Sequence, residues 1–222
     1  MTIKEAIEAR NSVRHYTDRP LSGEQIEALN KAIEVCNKEG HFNIQLFTNE
    51  PEAFKGFFAH YGKFSGVNNY IALVGKDSDK LDEQLGYYGE KLVLQAQMLG
   101  LNTCWVAVTF SKKKCKAIIN EGERLVSVLT LGYGKTQGKP HKTKPMDALC
   151  QVDQTPMPQW FKEGMQAAML APTAINQQKF LVTLNEGQVF IEAKRGPYSK
   201  IDLGIVRYHF EEGAGRENFS WA

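Results

Sequence analysis

Two short apolar runs constrain this chain most. Tyr70-Ile71-Ala72-Leu73-Val74 stops at Gly75, and Val126 to Leu131 runs into Gly132-Tyr133-Gly134. Both are far below the ~20 residues of a membrane span, and the flanking glycines mark them as buried strands rather than helix. Around them the spacing predicts helices. Residues 2–10 place Ile3, Ala6 and Ile7 on one face behind Thr2 as a cap. Ser22 followed by Gln25 reads as the capping box of a second helix that turns Ile26, Leu29, Ile33 and Cys36 inward. Residues 43–48 alternate weakly, and residues 81–99 predict a long helix ended by Gly100. Trp160 to Leu170 is helical and stops before Pro172. Phe180 to Leu184 and Val189 to Ala193 read as strands, and a last helix covers 200–212 up to Gly213.

The order helix, strand, strand, helix thus occurs twice. It points to an internal duplication, repeats 1–150 and 151–222, with no Pro/Gly/Ser-rich linker between them. The expected architecture is one intertwined α+β domain over residues 1–222.

Composition bounds the function classes. Of the 222 residues, 42% are hydrophobic and 23% charged, an ordinary globular balance, and the net charge of +2 is too small to imply nucleic acid. The start has no apolar run and no membrane helix is apparent, so the expected location is cytoplasmic. The four cysteines, 36, 104, 115 and 150, lack any CxxC cadence and are expected as thiols. The histidines form no HExxH or short cluster, so no metal is expected, and GxSxG, Walker A and dinucleotide GxGxxG strings are missing.

Four segments carry candidate chemistry. In Arg10-Asn11-Ser12-Val13-Arg14, two guanidinium forks and a hydroxyl follow a short helix. In an extended chain these alternate side chains form an anion cradle. The same string also reads as a solvated helix end, with the arginines paired to Glu5 or Glu8. Ala171-Pro172-Thr173-Ala174-Ile175-Asn176-Gln177-Gln178 is a polar turn. Its Asn176 and Gln178 amides suit a ring edge with alternating C=O and N–H groups, or alternatively serve only to stabilise the loop. Gly100-Leu101-Asn102-Thr103-Cys104-Trp105-Val106-Ala107 follows the long helix, with Cys104 and Trp105 read as packing. Lys135, Lys139, His141, Lys142 and Lys144 form a basic tract that is either a solvated face or a source of phosphate partners. Lys112, Lys113, Lys114 and Lys116 read as a helix surface without a role.

Together these segments resemble the flavin-dependent nitroreductase family, in its duplicated or rearranged branch. The resemblance implies a mostly antiparallel central sheet flanked by helices, and bound FMN. It assigns the flavin phosphate and ribityl chain to Arg10, Ser12 and Arg14, with Lys142 and Lys144 as the matching basic pair. Thr173, Asn176 and Gln178 correspond to the family's Pro-Ser-Ser-x-Asn-x-Gln block beside the ring and ribityl. Trp105, Val106, Ala107 and Val108 correspond to the backbone near ring N5 and O4. The usual member places its Asn/Gln block soon after the second helix, whereas here it follows residue 170. A chain that draws its site from both ends is expected to be a monomer with an internal pseudo-dimer and one flavin; the alternative is the family's homodimer. No side chain is assigned a catalytic role, because the flavin N5 carries the hydride. The implied activity is ping-pong reduction of nitroaromatics, quinones or other electron-poor acceptors by NADH or NADPH, with neither nucleic acid nor membrane as partner. The alternative is a flavin storage or regulatory module without efficient turnover.

Overall fold

The computed structural model describes residues 1–222, the side chain of Phe58 excepted. Six helices occur in the order α1 (Ile3–Ala9), α2 (Gly23–Gly40), α3 (Phe57–Tyr61), α4 (Leu81–Met98), α5 (Gln159–Ala168) and α6 (Ser199–Ala214). The strands are β1 (Gln45–Phe47), β2 (Asn69–Lys76), β3 (Asn102–Val106), β4 (Glu123–Gly132), β5 (Cys150–Val152), β6 (Phe180–Asn185) and β7 (Gln188–Ala193). The chain divides into two compact, discontinuous units. One comprises residues 1–9, 82–91 and 141–222; the other comprises 10–81 and 92–140.

The unit of residues 10–81 and 92–140 is built on an antiparallel sheet of order β1-β2-β4-β3. Strand β2 is buried along all but its last residue, as a continuous apolar run requires. Tyr70, Ala72 and Val74 fill one face with Val13, Tyr16, Phe54, Phe64, Cys104, Val106, Phe110 and Val128. Ile71 and Leu73 are buried on the other. Helix α2 starts where the capping box lies: Gln25 N–H donates to Ser22 Oγ at 3.2 Å, and Ser22 N–H donates to Gln25 Oε1 at 2.9 Å. Leu29, Ile33 and Cys36 are its buried stripe.

The unit of residues 1–9, 82–91 and 141–222 carries a three-stranded sheet, β5-β6-β7, parallel between β5 and β6 and antiparallel between β6 and β7. Helices α5 and α6 pack closely because Gly164 and Gly213 lack side chains. A Cβ on Gly213 would lie 2.6 Å from Ala167 Cβ and 2.7 Å from the Glu163 carbonyl. Thr2 caps α1 as expected and is answered by Glu5, whose carboxylate accepts the Thr2 N–H at 2.7 Å.

Several boundaries differ from the sequence expectation. Helix α6 continues to Ala214 and turns at Gly215 (φ 79°), because Gly213 serves close packing rather than termination. Residues 102–106 form a strand, Lys112–Lys114 only a single 3-10 turn, and the short elements α3 and β5 carry no periodic signal. All four cysteines are free thiols. Among the described residues, no helix is long and apolar enough to cross a membrane.

Candidate functional site

Where α1 ends, the chain becomes extended and is stitched to its neighbours at each step. Ser12 bridges Thr103 of β3 in parallel, and Val13 N–H donates to the Thr103 carbonyl at 2.9 Å. Ser65 N–H donates to the Arg14 carbonyl at 3.0 Å, and Tyr16 N–H donates to the Ser65 carbonyl at 2.9 Å. Lys135 N–H donates to the His15 carbonyl at 2.8 Å, and Thr17 N–H to the Tyr133 carbonyl at 2.8 Å. Val13 and Tyr16 anchor the segment in the core, and the Tyr16 hydroxyl donates to the Val13 carbonyl at 2.7 Å. The Gly132-Tyr133-Gly134 string lets this happen. A Cβ on Gly134 would meet Val13 Cγ1 at 2.8 Å, and Gly132 (φ 155°) lies against the Tyr16 ring.

Arg10, Ser12 and Arg14 alternate along this pinned backbone. All three act on the Cys104 thiol. Burial pushes that thiol up, the Arg14 and Arg10 charges pull it back, and Ser12 hydrogen-bonds to it. Burial likewise holds the Tyr16 hydroxyl well above its ordinary range, with Cys104 adding to the rise and Thr130 and Arg14 opposing it. Two guanidinium groups and a hydroxyl on alternate residues of a backbone held at each step supply the donor types an anion site requires. Arg10 is buried while Arg14 reaches solvent.

Strand β3 continues from this cradle. Trp105 is half-buried opposite Leu129 and Val106 pairs with Val128, after which Ala107 and Val108 leave the ladder. Val108 is 58% exposed.

In the other unit, the structure brings the basic segment and the amide turn together. Gln178 is buried, and its Nε2 donates to the Lys142 carbonyl at 2.8 Å and to Asn176 Oδ1 at 2.9 Å. Its Oε1 accepts the Lys144 N–H at 2.8 Å, and its own N–H donates to Thr173 Oγ1 at 3.1 Å. Asn176 Nδ2 donates to the Lys142 carbonyl at 2.9 Å, and His141 Nδ1 lies 3.2 Å from Asn176 Oδ1. The Lys144 ammonium donates to the Gln177 and Gln178 carbonyls at 2.7 and 3.0 Å. Lys142 contributes its carbonyl to this strapping, and its side chain is exposed. Much of the amides' capacity thus goes into holding 141–144 against 173–178. One Asn176 Nδ2 hydrogen and one Gln178 Oε1 lone pair lie beyond these bonds.

The family model described as "Putative TM nitroreductase" matches residues 2–214. The chain belongs to this family. The match covers nearly all of the chain, so membership marks it as an oxidoreductase. Among solved structures, a "putative nitroreductase" from Thermotoga maritima is 21% identical, covering 98% of this chain and 85% of that one, with TM-score 0.67. A "putative nitroreductase in complex with FMN" from Desulfovibrio desulfuricans is 18% identical, covering 71% and 99%, with TM-score 0.55. A "Putative NADH dehydrogenase/NAD(P)H nitroreductase" from Bacteroides thetaiotaomicron is 18% identical, covering 66% and 95%, with TM-score 0.53. These share the nitroreductase α+β fold. No curated protein matches the chain.

Two residues of this nitroreductase-family chain gain a place that sequence reasoning did not give them. Cys104, read as packing, is buried, and the Arg10 and Arg14 charges and the Ser12 hydroxyl all act on its thiol. Asp202 in α6 is buried against the amide turn, 24 residues beyond Gln178 in sequence, and no motif marks it. Its only signal is a charged residue on the inward face of a helix otherwise buried through Ile201, Ile205 and Val206.

Proposed function

We propose that this nitroreductase-family chain is an FMN-dependent oxidoreductase that takes hydride from NADH or NADPH and passes it to an electron-poor acceptor, such as a nitroaromatic, quinone or enone. The observation that carries the reading is the Arg10, Ser12 and Arg14 set on a backbone pinned to β3, with all three acting on the Cys104 thiol. Their donor set fits a phosphate monoester: two cations, one hydroxyl and a fixed backbone. No glycine-rich crossing for a pyrophosphate accompanies it, so FMN fits this cradle better than FAD. The FMN complex of the Desulfovibrio relative supports the cofactor, and the name of the Bacteroides relative supports a nicotinamide donor.

When bound, FMN supplies the hydride-accepting ring nitrogen, so no nucleophile or general base is required of the chain. In this reading Arg10, Ser12 and Arg14 hold the phosphate, and the exposed Lys142 and the carbonyl-bound Lys144 add positive potential. Thr173, Asn176 and Gln178 serve ring and ribityl oxygens. The backbone of Trp105, Val106, Ala107 and Val108 would lie by the ring, and the exposed Val108 would offer an apolar surface to the acceptor. We further propose a cytoplasmic monomer with one flavin per chain and a ping-pong order of donor and acceptor.

Purification, extraction of the chromophore and its mass test the cofactor. FMN is expected, and FAD as the sole species overturns the assignment. Anaerobic NADH or NADPH should bleach the bound flavin within seconds. Bound flavin that neither donor bleaches reduces the chain to a flavin-binding module.

A further inference from the structure

The turn between α5 and β6 holds Ile175, Asn176 and Gln178 in the left-handed region, at φ 49°, 55° and 46°. Asparagine tolerates that region, but a β-branched residue there is strained. Ile175 is also 89% exposed, so no burial offsets its strain. Such a conformation persists only where its surroundings over-determine it.

Asp202, in the first turn of α6, supplies that restraint from one side. Its Oδ1 accepts the Ala174 N–H at 2.9 Å, and its Oδ2 accepts a hydrogen from Gln177 Nε2 at 2.7 Å. Residues 174 and 177 bracket Ile175 and Asn176, so one carboxylate closes both ends of the strained pair. Gln177 Nε2 also donates to the Pro197 carbonyl at 2.7 Å, which fixes its orientation. Asp202 is 3% exposed and both its partners are neutral. Burial pushes the carboxyl up to about 6, against the opposing bonds from Gln177 and Ala174. Nearby titratable groups are engaged elsewhere. Lys144 bonds the Gln177 and Gln178 carbonyls, and His141 faces Asn176. Tyr198 precedes the helix, and Glu83 and Tyr87 of α4 present backbone to Gly204. A buried carboxylate without a cation costs stability, so its presence here calls for a compensating role.

We infer that Asp202 is a positioning residue for flavin binding, whose carboxylate locks the Thr173–Gln178 turn in the conformation that presents Asn176 and Gln178. This rests on the FMN reading above. Protonation turns one acceptor oxygen into a donor, which then faces the Gln177 or Ala174 N–H and opens one end of the clamp.

The test is FMN affinity by fluorescence titration from pH 5 to 8 for the native chain, Asp202→Asn and Asp202→Ala, with flavin-free melting curves. The FMN phosphate itself titrates near about 6, but that contribution is common to all chains, so the ratio of dissociation constants isolates Asp202. At pH 8, Asp202→Asn is expected to bind FMN roughly tenfold more weakly, the weight of one charge-assisted hydrogen bond, and to converge on the native affinity at pH 5. Its flavin-free melting temperature at pH 8 should equal or exceed the native value. Asp202→Ala, which also opens a cavity, should lose affinity at every pH. A ratio for Asp202→Asn that stays near one, or that does not change with pH, overturns the positioning role while leaving the FMN reading intact. A native chain that binds no FMN at any pH overturns both.

Discussion

Arg14 and Arg10 separate binding from stability, because one reaches solvent and the other does not. Arg14→Ala should leave the melting temperature nearly unchanged while FMN affinity drops roughly 10- to 150-fold, the weight of one charge-assisted phosphate contact. Arg10→Ala should lose comparable affinity and also melt lower, since it empties a buried position. Calorimetric titration beside thermal melting checks both, and unchanged affinity in both variants restores the solvated-arginine reading. Ile175→Gly probes the turn from the other direction. Glycine accepts φ near 49° without a Cβ clash, so the flavin-free chain should gain about 0.5–1 kcal/mol. A denaturant titration reads that gain, and an equal or lower midpoint refutes the strain. Asp202 sets a pH dependence whose sign follows from its raised pKa. The folded state favours the protonated acid, so its contribution to stability is complete below about pH 4, the unfolded value. It is lost as the pH rises through about 6. Asp202→Asn should remove this slope, worth on the order of 2–3 kcal/mol for a two-unit displacement. Unfolding midpoints at pH 4 and pH 8 measure it.

Elements pack here through missing side chains as much as through apolar ones. In the unit that holds the amide turn, the 82–91 part of α4 crosses α6 where Gly86 faces the Ile201 carbonyl and Gly204 faces the Glu83 carbonyl. A Cβ on Gly204 would overlap that carbonyl and lie 2.6 Å from the Tyr87 nitrogen, with only backbone there to give way. Gly204→Ala should therefore destabilise by about 1–3 kcal/mol or more. Gly23→Ala is the matched control. Its Cβ meets nothing within 4 Å at the start of α2, so it should be neutral or stabilise by up to about 1 kcal/mol. Circular-dichroism melts of the two variants decide it; equal melting temperatures would mean that the α4–α6 crossing accommodates a methyl group. The same helix α6 presents His209 to Glu90 Oε1 at 2.8 Å and to the Ala167 carbonyl at 3.0 Å, all buried. That pair gives the crossing a polar register as well as a steric one.

At the scale of the molecule, one flavin per chain and a solution mass of a single chain are expected from the proposed monomer, and light scattering on the flavin-loaded protein tests both at once. A two-chain mass at micromolar concentration would favour the homodimer. Much of this architecture was legible in the residues themselves. The capping box Ser22–Gln25, the strand Tyr70–Val74 and the glycine stop after α4 each act locally, through capping hydrogen bonds, a continuous apolar run and backbone freedom. The last helix end was misread because Gly213 looks like a terminator, and only the neighbouring helix α5 shows that it is a contact. Strand β3 was missed because Asn102, Thr103 and Cys104 carry no alternation; pairing with β4 makes it a strand. The amide turn was found by its residue types, but not its restraint. Asp202 becomes its clamp only when α6 returns beside residues 174–177, and no spacing in the chain encodes that encounter. What the sequence determined by itself was therefore each short-range choice of helix, strand, cap and candidate donor set. The tertiary structure alone decided which donors remain available and which are consumed, because a hydrogen bond's partner is set by distance in space rather than along the chain.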